Sequence, residues 1–215
     1  MLIETSTRLD EVVQTASVRR FAMTDFYTEN MRLLVEKHVI ERPLDHSWSL
    51  QGFGMLRMYL SPEVRLHVWD SRYRTPNVSD IHDHPWDFTS TVLWGKMVNM
   101  RYFQTPGNRY THHSGLIMCG PSPSRPGPSG VHSIQLGMDM PCAYEPGFSY
   151  TQLAGDLHSS SPVDGTVTIC RRTPAFGRSS EHARVYWPLG TDWVSAEPRP
   201  ATNEEVLDIL GRIAR

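Results

Sequence analysis

Hydrophobic positions near the start of the chain recur at helical spacing. In "RLDEVVQTASVRRF", Leu9, Val12, Val13 and Ala16 share one face. "TDFYTENMRLLVEKHVIE" follows, with Thr24 as an N-cap and Phe26, Met31, Leu34, Val35 and Val39 as a broken apolar stripe that Pro43 ends. From about Ser47 the period shortens. "GMLRMYLS", "VRLHVWDSRY", "DFTSTVLWG", "KMVNMRYFQT", "HHSGLIMCG", "PCAYEP", "SYTQLAG", "GTVTICRRT" and "ARVYWPL" are short, rich in β-branched and aromatic residues, and separated by turn formers. Between Cys119 and Cys142 the proline, glycine and serine content opposes a regular strand through most of the segment, which reads as a loop over one end of a barrel. "ATNEEVLDILGRIAR" closes as a helix, with a Thr202/Glu205 capping box and Val206, Ile209, Leu210 and Ile213 on its apolar face. No internal repeat interrupts the series. The expectation is an all-β sandwich or barrel over residues 46–195, an N-terminal helical segment (1–45) packed on it and a C-terminal helix (196–215), one domain overall.

Composition narrows the function classes. A chain of 215 residues suffices for one domain with a real core, and 39% hydrophobic with 20% charged residues points to a folded, soluble protein. A formal net charge of -2 gives no bulk attraction to nucleic acid or anionic lipid, and no helix-turn-helix or zinc-finger pattern supports DNA binding. No apolar run reaches the roughly 20 residues of a membrane span. "MLIETSTRLDEVVQ" lacks a basic-then-apolar leader, and three cysteines outside any CxxC pair read as reduced thiols in a cytoplasm. The partner expected is a small-molecule substrate, bound by a monomer or homodimer. Ten histidines direct attention to metal chemistry.

"IHDHPWDFTSTVLWG" carries that chemistry. On a strand, residues two apart point to one face, so His82 and His84 project together and two neutral imidazoles can chelate one ion. Pro85 suggests an edge or bulge. Gly95 closes the apolar run and suits a hairpin turn into "KMVNMRYF".

These residues resemble the cupin superfamily, whose first motif is an HxH pair, a glutamate a short step on and a closing glycine. Its second motif is a PxG turn leading to a third histidine. Both histidines and Gly95 fit, while Phe88 stands at the glutamate position. Asp87 is adjacent, but on a regular strand it faces away; a bulge after Pro85 would bring it in. Pro146-Gly147 gives the later turn, and His158 is the best third ligand. His112, His113 and His132 are the alternatives, the latter two read as exposed or rim residues and His112 left open.

Within cupins, the chain is most similar to the thiol dioxygenases of the cysteine dioxygenase type, over roughly residues 55–175. The string "IHDH" and an "LH" step in "DLHSSSPVDGTVTICRRTP" carry the likeness. The resemblance implies iron(II) on His82, His84 and His158 without a carboxylate, and Arg57 on an early strand holding a substrate acid group. The chain departs from the family at position 88 or 89, where no cysteine stands to form a cysteine–tyrosine crosslink. Arg172 replaces the tyrosine expected near the strand end. Alternation also sends Thr168, Cys170 and Arg172 to one face, so Arg172 is a second catalytic candidate, and Trp86, Tyr102 and Tyr150 are candidate cavity walls.

Three imidazoles leave about three open positions on an octahedral ion. The expected function is a non-haem iron(II) dioxygenase acting on a small polar, thiol or amino-acid-like substrate. Zn, Ni or Mn are other metals such a set accepts, zinc suiting an isomerase or lyase. A non-catalytic cupin that binds a small molecule is the alternative from another class. The 2-oxoglutarate oxygenases rank lower, because they need a carboxylate two residues after the first histidine, where His84 stands.

Overall fold

A computed structural model describes residues 26–115, 132–173, 183–190, 194 and 198–213, with backbone alone at 108–115 and 132–133. The chain divides into two compact units, Met1–Arg42 and Pro43–Arg215. In the first, helix α1 spans 26–35 and widens into a π turn at Glu36–Ile40. Pro43 opens a short 3-10 turn, Pro43–Asp45, so the helix stops where its ring forbids continuation. Val35 and Val39 are buried as expected, but Phe26 and Leu34 are exposed and Thr28 is buried in their stead. Thr28, Val35 and Val39, seven and four residues apart, share one helical face, which is rotated from the stripe read through Phe26 and Leu34. The helix expected over residues 9–22 and the Thr24 cap lie outside the described residues.

In the second unit the strands are β1 Ser49–Gln51, β2 Phe53–Tyr59, β3 Val64–Arg74, β4 Ile81–His82, β5 Asp87–Trp94 and β6 Met97–Gly115. They continue as β7 His132–Met138, β8 Cys142–Tyr144, β9 Ser149–Gln152, β10 Leu157–Pro162, β11 Val167–Thr173, β12 Ala183–Pro188 and β13 Arg199–Pro200, before helix α2, Asn203–Leu210. The strands build two antiparallel sheets. One has seven strands in the order β13-β1-β2-β3-β11-β5-β9; the other has six, β10-β4-β12-β6-β7 with β8 on β6. The architecture is a β-sandwich. Among the described residues, no helix is long and apolar enough to cross a membrane.

Three connections differ from the expectation. Gly95 does not close a hairpin, because β5 and β6 belong to different sheets. Its φ of +77° and the position of its absent Cβ, 2.5 Å from Thr166 Oγ1, leave only glycine at this crossing from sheet to sheet. "KMVNMRYFQT" and "HHSG" form one strand, β6, in which Pro106 and Gly107 are absorbed where the register with β7 shifts between Thr105 and Tyr110. The end of the proline-rich segment is strand β7, so His132 pairs in register with His112 and does not sit in a loop. Residues 116–131 lie outside the described residues.

Helix α2 lies against β3, burying Val206, Ile209 and Leu210. Its capping box forms as expected: Thr202 accepts from Glu205 N, and the Glu205 carboxylate accepts from Thr202 N. Asp208 fixes α2 to the sheet by accepting from Arg72 at 2.6 Å and from Tyr73 at 2.9 Å.

Candidate metal centre

β4 is two residues long and lies between β10 and β12, with His82 in register with His158 on one side and Val185 on the other. The chain leaves the strand after His82, so His84 is not a strand residue. Its ring nevertheless lies 4.8 Å from that of His82 and 5.2 Å from that of His158, and His82 and His158 are 4.6 Å apart. Asp83 explains why the two histidines still converge. It points the opposite way, is 3% exposed, and its carboxylate accepts from Arg184 N and Arg184 Nε, each at 2.6 Å. The same guanidinium donates to the Gly155 carbonyl at 3.2 Å, and Gly155 N donates to the His84 carbonyl at 2.9 Å. Arg184 thereby joins the segment carrying His82 and His84 to the turn that leads into His158. The sequence reading missed this pair; the middle residue of HxH being an acid was the available signal.

The candidate ligand atoms of His82, His84 and His158 all lie within 4.8 Å of one another. A carbonyl can only accept, so Nδ1–H of His82 donates to the Asp80 carbonyl at 2.8 Å and Nδ1–H of His158 donates to the Asp156 carbonyl at 3.1 Å. These bonds fix the tautomer and leave each Nε2 with its lone pair. Burial lowers the proton affinity of all three rings, His158 to about 3, and the neighbouring imidazoles reinforce this at His84 and His158. His158 is 2% exposed, whereas His82 and His84 are half-buried, so the cluster has a solvent-side opening. Three neutral, oriented imidazoles of this kind fit a divalent ion of the first transition row.

Phe88 stands where a carboxylate ligand would be expected, its ring 5.3 Å from His84 and 5.6 Å from His158. Asp87 does not join: its Oδ1 accepts from Ala154 N at 2.7 Å. The side chains of His112, His113 and His132 lie outside the described residues. Trp86 stacks on His84 at 5.1 Å. Tyr150 packs with Phe88 and Cys170 and bonds to Ser90 and Ser160, which spans the two sheets, and burial pushes its phenol up to about 12. Burial raises Cys170 to about 11, so its thiol stays protonated near neutral pH. Tyr102 is a correction. It packs with Leu157 and Tyr186 and bonds to Ser159, on the side of its sheet away from His158.

Alternation puts Met55, Arg57 and Tyr59 on the face of β2 that meets Arg65, His67 and Trp69 of β3. Thr168 and Cys170 of β11 continue this face, with Arg172 one step further along it. Arg57 is 8% exposed and donates from Nε to Ser49 Oγ at 3.3 Å. Arg172 is half-buried, donates to the Pro62 carbonyl at 2.6 Å and lies over Trp86. The sequence reading missed Arg65 and His67: the Arg65 guanidinium bears on His84 from this wall, while burial, with Arg65 and Arg57 beside it, holds His67 well below the usual histidine range and so neutral. Both are 8% exposed, and Arg65 Nε and His67 Nε2 are buried without hydrogen-bond partners among the described residues. The signal was present in "VRLHVW", whose polar residues alternate as those of "MLRMY" do.

The three-histidine cluster inside a β-sandwich is compatible with a cupin. No known family model matches the chain, and no curated protein matches its sequence.

Proposed function

We propose that the protein is a cupin-type non-haem iron(II) dioxygenase acting on a small polar acid of the thiol or amino-acid type. The observation that carries this reading is the convergence of His82, His84 and His158 with an aromatic ring, Phe88, in place of a carboxylate. Iron(II) held there supplies an ion with open positions for O2 and substrate together. The residues of the chain do the rest. His82 and His158 present Nε2 because backbone carbonyls hold their Nδ1–H groups. Trp86 and Phe88 cover His84 and keep water from that side. Arg57 and Arg172, with Arg65 between them, hold the acid group of the substrate; the planar guanidinium grips a carboxylate through paired hydrogen bonds. For a thiolate, both oxygen atoms of O2 enter the sulfur to give a sulfinate. Sulfur is oxidised, oxygen is reduced, and no other reductant is required.

The test is O2 uptake by protein loaded anaerobically with iron(II), screened over thiols and amino acids. Consumption of one O2 per substrate is expected for at least one thiol acid. Tight ligand binding with no O2 uptake across the screen would overturn the dioxygenase reading in favour of a binding module. Bound zinc with no uptake would move it to isomerase or lyase chemistry.

A further inference from the structure

The inner wall of β2, β3 and β11 holds more positive charge than one acid group requires. Arg57 and Arg65 both lie over the Tyr59 ring, at 5.3 and 5.0 Å. Arg65 and Arg172 both lie over the Trp86 ring, at 5.6 and 5.0 Å. Two aromatic rings therefore thread three guanidiniums into a row, and Trp86 joins that row to His84. Arg65 is its centre. Burial lowers its proton affinity to about 10, with Arg172 and Arg57 pushing the same way, and no carboxylate is among the leading influences on it. It remains a cation at neutral pH, with no ion pair to a carboxylate among the described residues. Such a charge is costly to bury unless an anion joins it. Gln152, 1% exposed and beside Phe88 in register, adds an amide with neither end bonded among the described residues. With Arg65 Nε and His67 Nε2 it gives this wall buried polar atoms awaiting a ligand.

We propose that the row Arg57–Arg65–Arg172 binds a small molecule with two separate acid groups, lying across Trp86 with one end directed to His84. The proposal rests on the histidines as the reaction centre only in making this molecule the substrate. A single carboxylate is satisfied by one guanidinium fork, and would leave the mutual repulsion of the others in place. Two acid groups set apart match a row, whereas a compact anion would match a cluster.

Titration calorimetry of the full chain with succinate, acetate and inorganic phosphate tests this, on metal-stripped and on iron(II)-loaded protein without O2. Succinate is expected to bind at least about tenfold more tightly than acetate or phosphate, from added charge-assisted hydrogen bonds. Arg65→Gln is expected to abolish that preference, and Lys96→Gln, on a distant turn, to keep it. Acetate or phosphate binding as tightly as succinate overturns the proposal, as does a preference that survives Arg65→Gln. If Arg65→Gln does not fold, the ranking of the three anions on the wild-type chain decides alone. Metal analysis of the same samples separates the two readings. Metal uptake without a succinate preference overturns the two-acid proposal and leaves the metal site; a succinate preference without metal uptake upholds the row and removes the reaction centre.

Discussion

Leu56, Leu66 and Val68 stand on one face of β2 and β3, fully shielded from solvent; Arg57, Arg65 and His67 stand on the other face of the same strands, each only 8% exposed. Burial is nearly equal and its energetic sense is opposite. The first face loses apolar surface to the protein interior, at roughly 25 cal/mol per Å² in favour of folding. The second places guanidiniums and an imidazole out of water, with Arg65 Nε and His67 Nε2 lacking partners among the described residues. A ligand that joined these groups would offset that cost, so on the proposed reading the first face serves stability and the second serves the site.

One substitution on each face should break the comparison if it is wrong. Leu66→Ala is expected to lose about 3 kcal/mol of stability in denaturant unfolding while metal content per folded chain holds. Arg65→Met on the opposite face is expected to unfold at equal or higher denaturant, because removing an uncompensated buried cation relieves its desolvation, while succinate binding is lost. A large destabilisation by Arg65→Met would mean that the guanidinium is a structural partner. Asp83→Ala comes next. It takes the partner from Arg184, whose side chain is 37% exposed and can return to water, so a loss of about 2 kcal/mol is expected, with weaker metal retention because His84 is no longer drawn in.

The smallest effect lies far from the site. Hydrogen bonding from Arg199 pulls the Glu205 carboxyl down from 4.5 to about 2. A depressed folded value means that the stabilisation is complete above pH 4.5 and is lost as pH falls through about 2. Wild type should therefore lose about 1 kcal/mol or less relative to Glu205→Gln over that window in acid unfolding, since Arg199 is 54% exposed. A flat difference between the two chains would contradict it.

The parts of the fold that were legible in sequence were those that local chemistry decides. The Thr202/Glu205 box needs only residues three apart, and β2, β3, β5, β9 and β11 stood out as short runs rich in β-branched and aromatic residues between turn formers, whereas the short edge strands β1 and β13 did not. His82 and His84 were legible as a pair two apart, and His158 through the resemblance of the Pro146-Gly147 turn and the "LH" step to the second cupin motif. The Asp83–Arg184 pair was not, since it joins segments 101 residues apart in sequence. Arg65 was visible as an alternating residue. Its burial was not, because both faces of β3 are covered and period two cannot rank two covered faces. Pro106-Gly107 read as a break in what is one strand, because a register shift can absorb residues that punctuate most strands.

Elemental analysis of the full chain purified without added metal tests the central claim most directly, with His84→Ala beside it. His84 lies outside the regular strands and is half-buried, so its truncation leaves the sandwich intact and removes one donor. The account predicts about one equivalent of transition metal, iron foremost, in wild type and none retained in His84→Ala. Equal metal in the two proteins, or none in either after anaerobic iron loading, would contradict it.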